Sequence, residues 1–244
     1  MFKYADDNNL IVTENTDVCL LEEFDHIKEW ARKNKMIINI LKTKEIVVRR
    51  QNPRLCIMPP PLNEIDQVAE IKLLEVIFDG NFNFESHINY ITSISSQRIV
   101  VVTKLLRYQE LCGENLETVF QALIISRLSY AMSAWTGFIT TEQCGRINAF
   151  LKRSLKYRLT QKCFNINEIL SKADCTLFKA IQLPENFLHS ILPPSKSSLG
   201  NIGARGHNFE LPICKTIIHK ESFIPKYPFH NMIINLLNYS RSCT

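Results

Sequence analysis

The stretch Phe2-Lys3-Tyr4-Ala5-Asp6-Asp7-Asn8-Asn9-Leu10-Ile11-Val12 reads as strand, acidic turn, strand. Phe2 to Ala5 and Leu10 to Thr13 are the expected strands, with the Asp/Asn run as the turn between them. Asp and Asn are ordinary turn formers, because their side chains bond their own backbone and tolerate the left-handed region. Two adjacent carboxylates on such a turn also suit a hard divalent cation. Mg²⁺ takes oxygen ligands, and one or two carboxylates plus substrate phosphates usually complete its shell.

Working outward, Asn15, Thr16 and Asp17 offer caps for a helix. Leu20, Phe24, Ile27 and Ala31 recur on one face of it. Glu22, Glu23, Lys28, Arg32 and Lys33 fall mostly on the other side, and Trp30 is expected to anchor a core. Met36 to Leu41 and Lys44 to Arg49 read as strands around a short connection. Pro53 and Pro59-Pro60-Pro61 punctuate a loop. Ile71 to Phe78 reads as one apolar strand closing at Asp79-Gly80. The first eighty residues are thus a small β structure with one amphipathic helix.

From residue 86 the pattern is helical. The expected helices run from Ser86 to Gln109, from Glu114 to Ala134, and from Thr141 to about Arg158. Leu116, Phe120, Leu123, Ile124 and Leu128 stripe the second; Ile147, Phe150, Leu151 and Leu155 mark the buried face of the third. Beyond Pro184, the Pro/Ser/Gly-rich stretch reads as a linker, then an irregular tail with one short helix at Met232 to Leu237.

Composition sets bounds on function. The 244 residues are 45% apolar and 22% charged, which is ordinary for a folded chain with a real core. No run approaches the ~20 apolar residues that cross a membrane, and no signal peptide is visible, so an intracellular location, nuclear or cytoplasmic, is expected. The eight cysteines form no Cys-x-x-Cys pair, so closely spaced zinc ligands are not indicated and free thiols are expected. No Ser-His-Asp order or nucleophile elbow points to a hydrolase.

Charge is uneven. Residues 1–80 hold 11 Lys/Arg against 14 Asp/Glu, whereas the rest holds 18 against 10. Nonspecific nucleic-acid affinity is largely counterion release by Lys and Arg, so the downstream part is the candidate for phosphate contact. Within it, Lys152, Arg153, Lys156, Arg158 and Lys162 put five cations in eleven residues with no acidic one. A solvated helix surface has the same pattern. Only Tyr157 and Phe164 interleave it, too little for base stacking. His87 reads as a cap or core residue, and Cys112 and Cys144 as packing residues. His207, between Arg205 and Asn208, fits either nucleic-acid contact or loop support.

Several segments, in order, resemble the carboxy-terminal half of the reverse transcriptase of a non-LTR retrotransposon of the jockey-like LINE type. They are Phe2-Lys3-Tyr4-Ala5-Asp6-Asp7; Trp30 with Asn39-Ile40-Leu41-Lys42-Thr43-Lys44; and Ile71 to Asp79 followed by His87-Ile88. Ala122 to Ala131 with Trp135 comes next, then Arg205 to Pro212 with His219 to Ile224. The resemblance implies an α+β chain: 1–80 as the end of a polymerase palm, 81–183 as a helical thumb and connection, and 184–244 as an irregular tail.

It also implies RNA-templated DNA synthesis with Mg²⁺, or Mn²⁺, on an RNA template and a DNA primer. Asp6 stands at the family's metal-binding position and Asp7 at the second, less direct one. Lys42, or Lys44, stands at its lysine position, where a cation would protonate or neutralise leaving pyrophosphate. The second metal-binding Asp and the fingers lie upstream of this motif in the family. The chain alone is therefore expected to be inactive unless a complementing polymerase half supplies them. Glu75 stands where the family favours Gly, in a segment that grips the primer, and a carboxylate facing primer phosphates would repel them. Two rivals remain: a domesticated nucleic-acid-binding module without catalysis, and a nonfunctional remnant of a decayed element.

Overall fold

The computed structural model describes residues 2–4, 7–13, 17–49, 58–108, 114–195, 209–210 and 212–226, with side chains for all of these except 2–4 and 105–108. The class is α+β: three two-stranded sheets near the start, then helices. The chain divides into two compact units, 1–71 with 79–81, and 72–78 with 82–244.

The first unit opens on strands β1 (Phe2–Tyr4) and β2 (Asp7–Asn9), paired antiparallel with Tyr4 opposite Asp7. Pairing thus begins at Asp7, and the Asp/Asn run is not all turn. Residues 10–13 are irregular rather than the second strand. Helix α1 (Leu20–Lys33) follows, with Cys19 at its N-cap position and no capping side-chain bond. Of the expected caps, Asn15 and Thr16 lie outside the described residues, and Asp17 sits too far upstream. Phe24 and Ala31 are buried, as the periodicity requires, but Trp30 is 40% exposed and anchors no core. The outer face is laced by local pairs. Arg32 donates to both carboxylate oxygens of Glu29 at 2.9 and 2.8 Å, and Lys28 reaches Asp25 at 3.2 Å.

Residues 36–43 form irregular chain and a turn, not a strand. Only Lys44–Glu45 (β3) is paired, in parallel with Asp66–Gln67 (β4). Glu45 locks this pairing, accepting from the Leu62 N–H at 3.0 Å and the Gln67 amide at 3.0 Å. Arg49 N–H donates to the Gly80 carbonyl at 2.8 Å. A Cβ on Gly80 would stand 2.3 Å from the Val47 carbonyl oxygen, so only glycine permits that approach.

The apolar segment expected as one strand is two, β5 (Glu70–Leu73) and β6 (Val76–Asp79), which form a two-stranded sheet. Leu74 and Glu75 between them have φ of 44° and 68°. Positive φ at both central residues is the pattern of a type I′ hairpin turn.

In the second unit, α2 (Glu85–Tyr108) is followed by α3 (Glu114–Phe120), a π-helical turn at Gln121–Ile125, and α4 (Ser126–Ser129). Arg98 donates to the Leu123 carbonyl within the π turn at 3.0 Å. The helix expected from Glu114 to Ala134 is broken where Ala131 turns left-handed (φ 48°), and α5 (Met132–Trp135) starts anew. Helix α6 (Thr141–Lys156) opens on a capping box, with the Thr140 hydroxyl on the Gln143 N–H and the Gln143 side chain on the Thr140 N–H. Helix α7 (Ile166–Ile181), capped by Asn165, and α8 (Ile217–Glu221) complete the described elements. The tail is thus not wholly irregular; the helix expected at Met232 to Leu237 lies outside the described residues.

One core serves this unit. Ile88 and Ile91 of α2, Phe120, Ile124 and Leu128, Trp135, and Ile147, Phe150 and Leu151 of α6 are all buried together. No described helix is long and apolar enough to cross a membrane. Cys19, Cys144, Cys163, Cys175 and Cys214 are free thiols.

Candidate functional site

Of the acidic motif, Tyr4 and Asp7 lie on the paired strands β1 and β2. Asp7 is exposed and begins β2. Asp6, the residue on which metal binding would centre, lies outside the described residues. Among the described residues no group of three or more His, Cys, Asp or Glu side chains gathers to hold a metal ion. One exposed carboxylate at Asp7 does not make a cation shell by itself.

The Asn39–Thr43 turn is built by two residues of its own motif. The Asn39 side chain accepts from the Lys42 N–H at 3.2 Å, and the Asn39 carbonyl accepts from both the N–H and hydroxyl of Thr43 at 3.0 and 2.9 Å. That closure leaves Lys42 exposed at the turn, with no ion-pair partner among the described residues. Lys44 is instead committed to an ion pair with Asp66. Between the two candidates for a mobile catalytic cation, Lys42 is the free one.

The basic segment divides at the end of α6. Lys152, Arg153 and Lys156 occupy its last turns on the side away from Phe150, Leu151 and Ser154, which are buried. Tyr157 closes the helix, and Arg158 follows in the left-handed region at φ 56°. Lys162 lies in the loop leading to α7, its N–H bonded to the Thr160 hydroxyl at 3.1 Å. All five cations are exposed, and none is in an ion pair among the described residues. The cations at the end of a helix also suit its dipole.

Glu75 is where the structure departs most from expectation. Its carboxylate does not stand as a bare negative charge. Lys72 Nζ donates to Oε1 at 2.8 Å and Arg127 Nη2 to Oε2 at 2.8 Å. The Tyr90 hydroxyl reaches Oε2 at 3.3 Å. These partners, Lys72 first and Arg127 second, hold the Glu75 carboxyl down to about 2. The cluster carries one net positive charge, so the expected repulsion of phosphates is absent. The Lys72–Glu75 spacing is visible in the sequence. Arg127, 52 residues away, is not, since no local period links it to the turn.

His87 is a core residue, as expected. It is 2% exposed, its ring meets Trp135 edge-on at 5.1 Å, and its Nδ1 faces the Ile77 N–H at 3.4 Å. Burial, with the nearby Arg127 charge, lowers its pKa to about 4. His207 lies outside the described residues. Compared with known proteins, the chain matches no family model, no curated protein and no solved structure.

Proposed function

We propose that the chain carries part of an RNA-directed DNA polymerase of the non-LTR retrotransposon type: the acidic hairpin of the palm and, in 81–183, a helical thumb. The observation that carries this reading is the hairpin register. Tyr4 stands opposite Asp7 in two antiparallel strands, with Asp7 at the start of the second. An aromatic residue, a small residue and two carboxylates on a hairpin is the arrangement that the resemblance requires. The free Lys42 beside the Asn39–Thr43 turn supports it further.

Asp6 and Asp7 would hold Mg²⁺ together with a carboxylate from another stretch of polypeptide. When bound, paired metal ions stabilise the attacking and leaving oxygens of an in-line displacement. The chain alone is expected not to extend a primer on an RNA template with Mg²⁺ or Mn²⁺. With a polypeptide carrying the fingers and the Asp-bearing palm strand added, Asp6→Asn is expected to remove most extension, and Asp7→Asn less. Equal tolerance at both positions would reduce the acidic run to a turn. Template-dependent extension by the chain alone, lost in Asp6→Ala, would contradict the need for a further carboxylate.

A second reading keeps the binding and drops the chemistry. The five exposed cations from Lys152 to Lys162, in no ion pair among the described residues, favour it. The same mixture separates the two: nucleic-acid binding without extension under any complementation assigns a binding module.

A further inference from the structure

The Leu74-Glu75 turn contains a conflict that its surroundings explain. A non-glycine residue at φ 68° sits in a region that glycine prefers, and Glu75 follows another such residue at 44°. What holds Glu75 there is its carboxylate, which receives donors from β5, α2 and α4: Lys72, Tyr90 and Arg127.

The hydrogen-bonding of the cluster closes completely around the phenol. Tyr90 Oη accepts from Lys72 Nζ at 3.2 Å and from Arg127 Nη2 at 3.2 Å, and donates its one proton to Glu75. A hydroxyl offers one donor and two acceptor positions, and all three are used. The Tyr90 ring lies under both cations, 5.0 Å from Lys72 Nζ and 5.6 Å from the Arg127 guanidinium. The donors are thus set in place by the phenol and the ring as well as by the carboxylate they receive. They remain open to solvent, with side chains 44% exposed at Lys72, 46% at Glu75 and 21% at Arg127.

We infer that Lys72, Tyr90 and Arg127 form an oxyanion site for a phosphate group, and that Glu75 occupies it from within the chain. Two cations and a hydroxyl converging on two oxygens of one group is phosphate-binding chemistry, and the arginine fork suits it. A single carboxylate neutralises only one of the two cations. A phosphate dianion neutralises both, which favours phosphate over carboxylate as the incoming ligand. Glu75 is then a built-in competitor: a ligand must displace it, and its departure leaves the turn in a backbone conformation that glycine holds without strain. Lys72, Glu75 and Arg127 fall within two of the segments that carry the resemblance, but none of them is a proposed metal, lysine or basic-segment residue, so failure of this site leaves the polymerase reading standing.

The test is inorganic phosphate binding to the full chain, measured by calorimetry at fixed ionic strength with chloride as the control. Glu75→Gly empties the site and suits the positive φ. It is expected to bind phosphate about tenfold or more tighter than the wild type. Glu75→Gln, which removes the charge and keeps the size, is expected to fall between them, and carries the test if the glycine variant does not fold by circular dichroism. Arg127→Met in either background is expected to return binding to the wild-type level. Dimethyl phosphate, a monoanion, is run in parallel: preference for inorganic phosphate is expected and assigns a dianionic monoester, whereas comparable binding would overturn the charge argument for the site. Folded Glu75 variants that bind no tighter than the wild type would overturn the site. So would tighter binding that survives Arg127→Met.

Discussion

The two units spend similar sequence on different ends. In the first, Phe24, Ala31 and Ile65 are the buried apolar residues among those described, while Ile37 is 97% exposed and Leu41 88%. In the second, α2, α3, α5 and α6 enclose one cluster from Phe84 to Ile166. Ion pairs differ between helices, although Lys44–Asp66 also spans 22 residues within the first unit. In α1 they join neighbours three or four residues apart, Glu29 with Arg32 and Lys33, and such exposed pairs contribute little. In the helical unit Arg127 reaches Glu75 and Arg146 reaches Glu85 across long stretches of chain. The first unit buries few apolar residues and is held by polar contacts, local in α1 and longer-range around Lys44 and Glu45; the second is held by a core.

The sharpest way to break that contrast is to remove one large side chain from each unit. Trp135 is fully buried and donates its indole N–H to the Tyr130 carbonyl at 3.1 Å. Trp135→Ala is expected to cost about 3–5 kcal/mol. Phe24→Ala in α1 is expected to cost about 2 kcal/mol or less, from area alone. Denaturant unfolding followed by hydrogen exchange checks both. In the wild type, residues 86–158 are expected to exchange more slowly than residues 1–80. The contrast fails if the two substitutions cost the same or if the first eighty residues are the better protected.

Acid titration probes the core of the second unit. His87 has a folded pKa of about 4, below its ordinary value of 6.5. Between those pH values the unfolded chain binds a proton that the folded chain refuses, so stability falls as pH drops through that window. The full loss is about 3 kcal/mol. Glu75, held down to about 2, loses its contribution in a lower window, below its ordinary value of 4.5. His87→Asn is expected to flatten the dependence of the unfolding midpoint on pH between 6.5 and 4.5. An unchanged slope would mean that the ring is not protected from protonation.

Glycine substitution gives the smallest effect, with opposite signs in the two units. Gly145 lies within α6, exposed, with nothing within 4 Å of an added Cβ. Gly145→Ala is expected to stabilise by about 0.5–1 kcal/mol. Gly80→Ala, whose Cβ would meet the Val47 carbonyl oxygen, is expected to destabilise. Thermal melts of the two variants compare them directly.

The same contrast explains what could be read in advance. Helix α6 is legible to within two residues because its buried face repeats at helical spacing, whereas of the hairpin only the first strand is, since the second begins at Asp7 rather than Leu10. Trp30 was misread because it lies off the Phe24–Ala31 stripe, and an aromatic residue near a helix end need not face inward. Helix α7 also carries a sequence signal: Asn165 caps it, and Ile166, Ile169, Leu170, Ala173 and Leu177 recur at helical spacing. The β3–β4 pairing was out of reach, since two-residue strands carry no period. The clasp around Glu75 depended on Tyr90 and Arg127, which meet it only in the fold. For the candidate site, Lys42 was legible as a motif residue; its freedom, against the pairing of Lys44 with Asp66, was not.

The proposed nucleic-acid contact lies in the helical unit, at the end of α6. It is tested most directly by the salt dependence of duplex DNA binding for the wild type and for Lys152→Ala/Arg153→Ala/Lys156→Ala. Weaker binding is expected for the triple variant, with a slope of log K against log salt that is shallower by roughly 0.9 per lost phosphate contact. Unchanged affinity and slope would contradict it and leave these cations as a solvated helix surface.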